Sequence, residues 1–147
     1  YRQHLRTQSL IERRTAMRPI KFRVWSEKLK KLLLVDQLDL TGDEGAIVFD
    51  EDANEHYFTN SPIMQYTGLQ DKNGKEIYEG DLLEVIWKDM NAYKNGEKSI
   101  HLVEYLNAAF LIKPISGYWK LGAIDPSNII VIGNIYEHSH LLSGGQQ

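Results

Sequence analysis

Three features of the sequence predict a mostly β protein. Apolar and polar residues alternate with period two in short runs, clearest in Ile20-Lys21-Phe22-Arg23-Val24-Trp25. β-Branched and aromatic residues concentrate in Leu82-Leu83-Glu84-Val85-Ile86-Trp87 and in the run from Asn128 to Tyr136. Turn residues separate such runs at close intervals, as in Asn73-Gly74, Glu79-Gly80-Asp81 and Asn95-Gly96. Few windows carry a helical period.

The elements follow in order. Ile20 to Trp25 is a half-buried strand, the charged stretch Ser26 to Lys31 turns, and Leu32 to Leu40 returns as its partner. Gly42-Asp43-Glu44-Gly45 is loop chemistry, Ala46 to Phe49 a short strand, Asp50 to Glu55 an acidic bend, and His56 to Thr59 a further strand. Past Pro62, Ile63-Met64-Gln65-Tyr66 is extended and Asp71-Lys72-Asn73-Gly74 is a tight turn, with Gly74 expected at positive φ. Glu79-Gly80-Asp81 launches the Leu82–Trp87 strand, and a polar loop from Asp89 to Lys98 precedes alternation from Ser99 to Tyr105. After a break at Asn107 come Ala109 to Ile112, a turn over Pro114 to Gly117, and the aromatic Tyr118-Trp119-Lys120-Leu121. The last strand runs through Tyr136, and Gly133 within it marks a bulge or a close backbone approach.

Short strands punctuated by such turns predict a sandwich or barrel. The stretch from Ile63 to Glu137 has the order of an SH3-like barrel: a Gly-Asp turn into a strong strand, a variable loop, then hairpins. The expected organisation is a small N-terminal β subdomain over 17–60 packed on a C-terminal SH3-like barrel over 61–140, with a tail at 141–147.

Composition narrows the function classes. The 147 residues are 42% hydrophobic and 25% charged, ordinary for a globular domain. Cysteine is absent, which excludes disulfides, thiol nucleophiles and cysteine-zinc sites and suits a reducing cytoplasm. No apolar run approaches the roughly 18 residues of a membrane-spanning helix. The formal net charge is −3. Setting aside the four arginines and one glutamate of residues 1–16 leaves 13 basic against 19 acidic residues, a balance of −6. Nucleic-acid binders draw most of their affinity from basic surface, so this balance disfavours that class.

Residues 1–16 read unlike the rest, and Met17 is the expected initiator. Glu12-Arg13-Arg14 can be encoded as GAG-AGG-AGG, which contains a bacterial ribosome-binding sequence two codons before Met17. Residues 1–16 are therefore expected to be a translated leader or non-native extension. The alternative is an amphipathic N-terminal helix with Leu5, Leu10 and Ile11 on its apolar side.

Three blocks carry a family resemblance. Met17-Arg18-x-Ile20-Lys21-Phe22-Arg23-x-Trp25 opens the chain proper. The central block is Met64-Gln65-Tyr66-Thr67-Gly68-Leu69-Gln70-Asp71-Lys72-Asn73-Gly74-Lys75-Glu76-Ile77-Tyr78-Glu79-Gly80-Asp81, and Val131-Ile132-Gly133-Asn134-Ile135-Tyr136-Glu137 closes it. In order and spacing they resemble the YopX-like proteins of bacteriophages and prophages. The resemblance implies an accessory phage protein with an SH3-like C-terminal part and no established reaction, so no catalytic residue or cofactor is carried over.

The remaining chemistry is thin. Asp71-x-Asn73-Gly74-x-Glu76 and Asp50-x-Asp52-x-Asn54 depart from the calcium-loop spacing and read as turns. His138-x-His140 lacks further obvious ligands for zinc and reads as a solvated tail. No nucleophile elbow or phosphate loop is present. The signature positions Gln65, Tyr66, Thr67, Gly68, Asn73, Gly74, Tyr78, Gly80, Asp81, Gly133, Asn134 and Tyr136 are expected to be structural. Tyr93, Tyr118 and Trp119 are the candidate interaction residues, with Tyr93 and Tyr118 expected to be exposed. The expected function is a non-catalytic protein-interaction module in a bacterial host cytoplasm. Its partner is a host or phage protein or a second copy of the chain. A nucleic-acid-binding module is the alternative, and an enzyme with an unrecognised acidic or histidine site the third reading.

Overall fold

The computed structural model describes residues 19–38, 46–49, 53–58, 62–88, 92–115 and 117–143. Expectations for residues 1–16, Gly42 to Gly45, Asp50 to Asp52 and the tail beyond Ser143 fall outside them. The first strands are β1 (Phe22–Ser26), β2 (Lys31–Leu34), β3 (Gln37–Leu38), β4 (Ala46–Phe49) and β5 (Glu55–Phe58). Next come β6 (Ile63–Gln70), β7 (Glu76–Tyr78), β8 (Asp81–Ile86) and β9 (Lys98–Leu102). The last are β10 (Glu104–Leu106), β11 (Ala109–Ile112), β12 (Trp119–Lys120) and β13 (Ile129–Asn134).

These strands form a four-stranded sheet β2-β1-β6-β7 and three-stranded sheets β3-β4-β5, β10-β11-β12 and β13-β8-β9. The described strand pairings are antiparallel. The protein is mostly β, with several antiparallel sheets. β1 joins the opening segment to the central block, pairing Phe22 with Gln65 and Arg23 with Met64.

A single cluster draws on β7, β8, β11 and β13, with Ile77, Leu83, Val85, Ile112 and Ile129 essentially inaccessible. Each such side chain stabilises the fold by roughly 1.5–3 kcal/mol. β8 is the middle strand of its sheet, with β13 on one side and β9 on the other, and Asp81, Leu82 and Leu83 are buried in succession along it.

The structure corrects the expected strands at three places. Leu32 to Leu40 is not one strand: β2 ends at Leu34, and Asp36 in the bend beyond it accepts the Phe49 amide at 3.0 Å. The run Ser99 to Tyr105 breaks at Val103, whose amide donates to the Asp81 carbonyl and whose carbonyl accepts the Gly80 amide, both at 2.9 Å. The final strand stops at Asn134. There the Asn134 side-chain oxygen accepts the Tyr136 and Glu137 amides, each at 3.0 Å, and starts a helical turn over Ile135–His138. Tyr136 is thus helical. Asn134 is a favoured N-cap residue, and its side-chain amide donates to Glu137 Oε2 at 2.6 Å.

Candidate functional site

The central block folds as the β6–β7 hairpin and its flanks. Gly68 and Gly74 take φ of 85° and 80°, a region open to glycine at no steric cost. The irregular register between Tyr66 and Gln70 is held by Thr67, whose hydroxyl donates to the Ile77 carbonyl at 2.8 Å and accepts the Leu69 amide at 3.2 Å. At the tip, Asp71 is buried. Its Oδ1 accepts the Asn73 and Lys75 amides at 2.8 and 2.9 Å, and its Oδ2 accepts the Val131 amide at 3.0 Å. Burial works to raise the Asp71 carboxyl, but those amides outweigh it and hold the group below the ordinary aspartate range.

At the other end of the hairpin, the Glu79 amide donates to the Gln65 carbonyl at 2.9 Å, and Gly80 turns at φ 81°. Asp81 is 1% exposed. One oxygen accepts from Arg23 Nη2 at 2.6 Å, the other from the Tyr78 amide at 2.8 Å. Burial pushes the Asp81 carboxyl up, against the opposing pull of Arg23 and the Tyr78 amide. Arg23 also lies 4.6 Å from the centre of the Tyr78 ring, and Tyr66 and Tyr78 pack with their rings tilted at 5.4 Å. The Tyr78 hydroxyl donates to Glu76 at 2.9 Å, and Glu76 pairs with Lys21. Burial, then the Glu76 carboxylate, pushes the Tyr78 phenol up to about 12.

The closing block docks on this turn. The Ile135 amide donates to the Gly80 carbonyl at 2.9 Å, and the Tyr136 ring stacks on Trp25 at 5.5 Å with the planes 7° apart. The register of β13 against β8 shifts between Val131 and Gly133. A Cβ on Gly133 would meet His138 Nδ1 at 2.5 Å. The opening, central and closing blocks therefore converge on Arg23, Asp81 and Gly80.

A second polar group lies in the core and was missed from the sequence. Trp87 Nε1 donates to Ser99 Oγ at 2.6 Å, and Ser99 Oγ lies 2.7 Å from His101 Nε2. Desolvation lowers the His101 pKa, opposed by a hydrogen bond to the Lys113 backbone. The Ser99-x-His101 spacing on one strand was its only signal, and nothing local announces that Trp87 would meet it.

Tyr93 is a correction. Expected to be exposed, it is 8% exposed, stacked on Trp87 at 4.5 Å, with its hydroxyl accepting the Ile115 amide at 2.8 Å. A flat ring facing an indole gains more from burial than from water, and the hydroxyl keeps its hydrogen bond. Tyr118 is exposed, with Lys113 Nζ 5.4 Å from its ring centre. Trp119 is half-buried and meets Trp87 edge to face at 6.1 Å. Around the same β10-β11-β12 sheet, Tyr105, Leu106 and Ile115 are exposed. An open, largely apolar cleft of about 450 Å³ lies beside it, lined by Thr67, Leu69, Ala109, Phe110, Lys120, Leu121, Gly122 and Ala123.

Among the described residues, no group of three or more histidines or acids is placed to hold a metal ion. His138 and His140 lie with ring centres 6.3 Å apart, and His138 Nδ1 accepts the Asn134 amide at 3.3 Å. No described helix is long and apolar enough to cross a membrane.

An antiparallel β fold whose three sequence blocks meet at one buried Arg-Asp pair defines the class. The sequence pattern of the YopX protein family matches residues 21–143, and the chain belongs to that family. Protein EF1440 from Enterococcus faecalis is similar in structure, with a TM-score of 0.59 and 27% identity over 86% of this chain and 99% of that one. Protein YopX from Bacillus subtilis shares the fold with a TM-score of 0.57 at 17% identity, over 86% of this chain and 99% of that one. No curated protein matches the sequence.

Proposed function

We propose that the chain is a non-catalytic protein-interaction module, made from a bacteriophage or prophage gene and acting in the cytoplasm of its bacterial host. The observation that carries this reading is the apolar surface around β10-β11-β12. Tyr105, Leu106, Ile115 and Tyr118 are between 38% and 86% exposed there. Exposed aromatic and aliphatic groups borne on and beside one small sheet are what a partner surface buries. The polar groups best suited to chemistry, Asp71, Asp81, Ser99 and His101, are each engaged in hydrogen bonds within the fold.

In this reading residues 61–140 form an SH3-like barrel that presents the surface, and 17–60 form the smaller β subdomain. The pairing of β1 with β6 supports a fixed relation between the two. The signature residues are a folding device: Gly80, Asp81 and Asn134 join the blocks rather than meet a ligand. Replacing Tyr78 with Ala is expected to abolish folding; a stable variant that loses its partner contradicts this.

Affinity capture from phage-bearing cells, with and without nuclease, tests the reading. A specific protein retained after nuclease supports it. Loss of every protein after nuclease, with nucleic acid as the bound species, overturns it in favour of a nucleic-acid-binding module. Sedimentation of the purified chain tests self-association as the form the interaction takes.

A further inference from the structure

We propose that His101 is a proton-sensitive latch on the turn that follows β11: the neutral ring holds the turn, and proton uptake releases it. The inference goes beyond the interaction reading and needs no partner, so the two stand or fall separately.

The latch is a connected set of side chains that grips the turn at two points. Trp87 Nε1 can only donate, and its acceptor is Ser99 Oγ at 2.6 Å. Ser99 Oγ lies 2.7 Å from His101 Nε2, and the His101 ring also bonds the Lys113 backbone. That second bond favours the charged ring, so Lys113 contributes its carbonyl; an amide donor would disfavour the charge. The carbonyl only accepts. The ring hydrogen therefore sits on Nδ1, and Nε2 presents its lone pair to the Ser99 hydroxyl. On the far side of Trp87, the Tyr93 ring stacks at 4.5 Å and its hydroxyl accepts the Ile115 amide at 2.8 Å. The Lys113 carbonyl and the Ile115 amide are thus held by the two ends of one set. Within the turn itself, the Gly117 amide donates to the Pro114 carbonyl at 3.1 Å. The Ile115 side chain is exposed and adds little burial to hold the turn in place.

This arrangement suits the neutral ring alone. A protonated ring donates from both nitrogens, so Ser99 Oγ would receive two donors and its own hydrogen would lose its acceptor. The charge would also be buried, since His101 is 8% exposed, and the Trp87 ring packs at 5.7 Å from it. Charged groups on the neighbouring elements are engaged elsewhere. Asp81 on β8 is held by Arg23. Glu84 on β8 and Lys98 on β9 pair at 3.0 Å, and strand alternation puts both on the sheet face opposite His101. Lys113 Nζ lies over the Tyr118 ring, and His140, in the helical turn His140–Ser143 packed on β9, neighbours His138. Burial is the first influence on His101 and holds its pKa below the ordinary 6.5, with the Lys113 carbonyl opposing. A charged ring therefore gains by turning toward water, and in doing so it lets go of the Lys113 carbonyl. The hold is complete above about pH 6.5 and is lost as pH falls from there through the lower value of the held ring.

Nuclear magnetic resonance of the full ¹⁵N-labelled chain, titrated from about pH 8 to pH 5, tests the latch. The His101 ring is expected as the neutral Nδ1–H tautomer at the upper end. Exchange of the Ile115 amide, corrected for the intrinsic effect of pH, is expected to quicken several-fold by pH 5.5. The limit is about tenfold, set by one proton taken up one pH unit below 6.5. Ser99→Ala removes the donor to the neutral ring, and the His101 midpoint is expected to rise. His101→Gln does not titrate, and its Ile115 exchange is expected to lose the pH dependence. If His101→Gln fails to fold, the wild type and Ser99→Ala carry the test. An Nε2–H tautomer, a His101 midpoint at or above 6.5, or Ile115 exchange unchanged with pH overturns the proposal. So does a midpoint unmoved in Ser99→Ala, or a pH dependence that persists in folded His101→Gln.

Discussion

The carboxylate of Asp71 accepts the Val131 amide at 3.0 Å, joining the tip of the β6–β7 hairpin to β13 across sixty residues of chain. The same side chain closes its own turn through the Asn73 and Lys75 amides. One carboxylate therefore fixes a local turn and a long-range contact together. Asp71→Ala leaves buried amides unpaired and is expected to cost about 3 kcal/mol, measured by urea unfolding.

The sign of its pH dependence follows from the direction of its shift. Asp71 is depressed in the folded state. Its stabilising contribution is present above the unfolded value of about 3.9 and disappears as pH falls through the lower folded value. Asp71→Asn is expected to flatten the loss of stability in that acidic window. An unchanged acid limb would show that other carboxylates govern it.

Arg23 and Asp81 form a buried pair at 2.6 Å. Removing one charge strands the other, so Asp81→Ala is expected to destabilise by about 3–5 kcal/mol. The double variant Arg23→Met/Asp81→Asn removes both charges and is expected to recover a large part of that loss. A double variant no more stable than Asp81→Ala would show that the hydrogen bonds, not the charges, dominate.

Gly133 is required by close approach. A methyl group there overlaps the His138 ring, with Cγ at 2.6 Å and Cβ at 3.0 Å. Gly133→Ala is expected to cost about 1–3 kcal/mol, as for overpacking. Adding His138→Ala is expected to restore part of it in a double-mutant cycle, since the two residues compete for one space.

The β10–β11 hairpin turns on Asn107 and Ala108, at φ 51° and 59°. Two successive positive φ angles suit Asn-Gly, whereas alanine in the left-handed region costs about 1–2 kcal/mol. Glycine adds unfolded-state entropy worth about 0.5–1 kcal/mol, which offsets part of the relief. Ala108→Gly is expected to raise stability by a net of about 0.5 kcal/mol, read as a higher urea midpoint.

The sequence alone determined the β class, the β1 and β8 strands and the Asn73-Gly74 turn. Alternation and turn propensity act within a few residues and need no distant partner. The tertiary structure decided where strands stop and which aromatics face water. Val103 leaves its strand because Gly80 and Asp81 offer its backbone other hydrogen bonds, more than twenty positions away. Tyr93 is buried because Trp87 presents a ring face to it, while Tyr118, similar in sequence setting, has Lys113 beside it and stays exposed. The convergence of Arg23, Asp81 and Asn134, and the cleft beside Lys120, likewise arise only when sheets distant in sequence meet, because no local pattern encodes what a side chain will face.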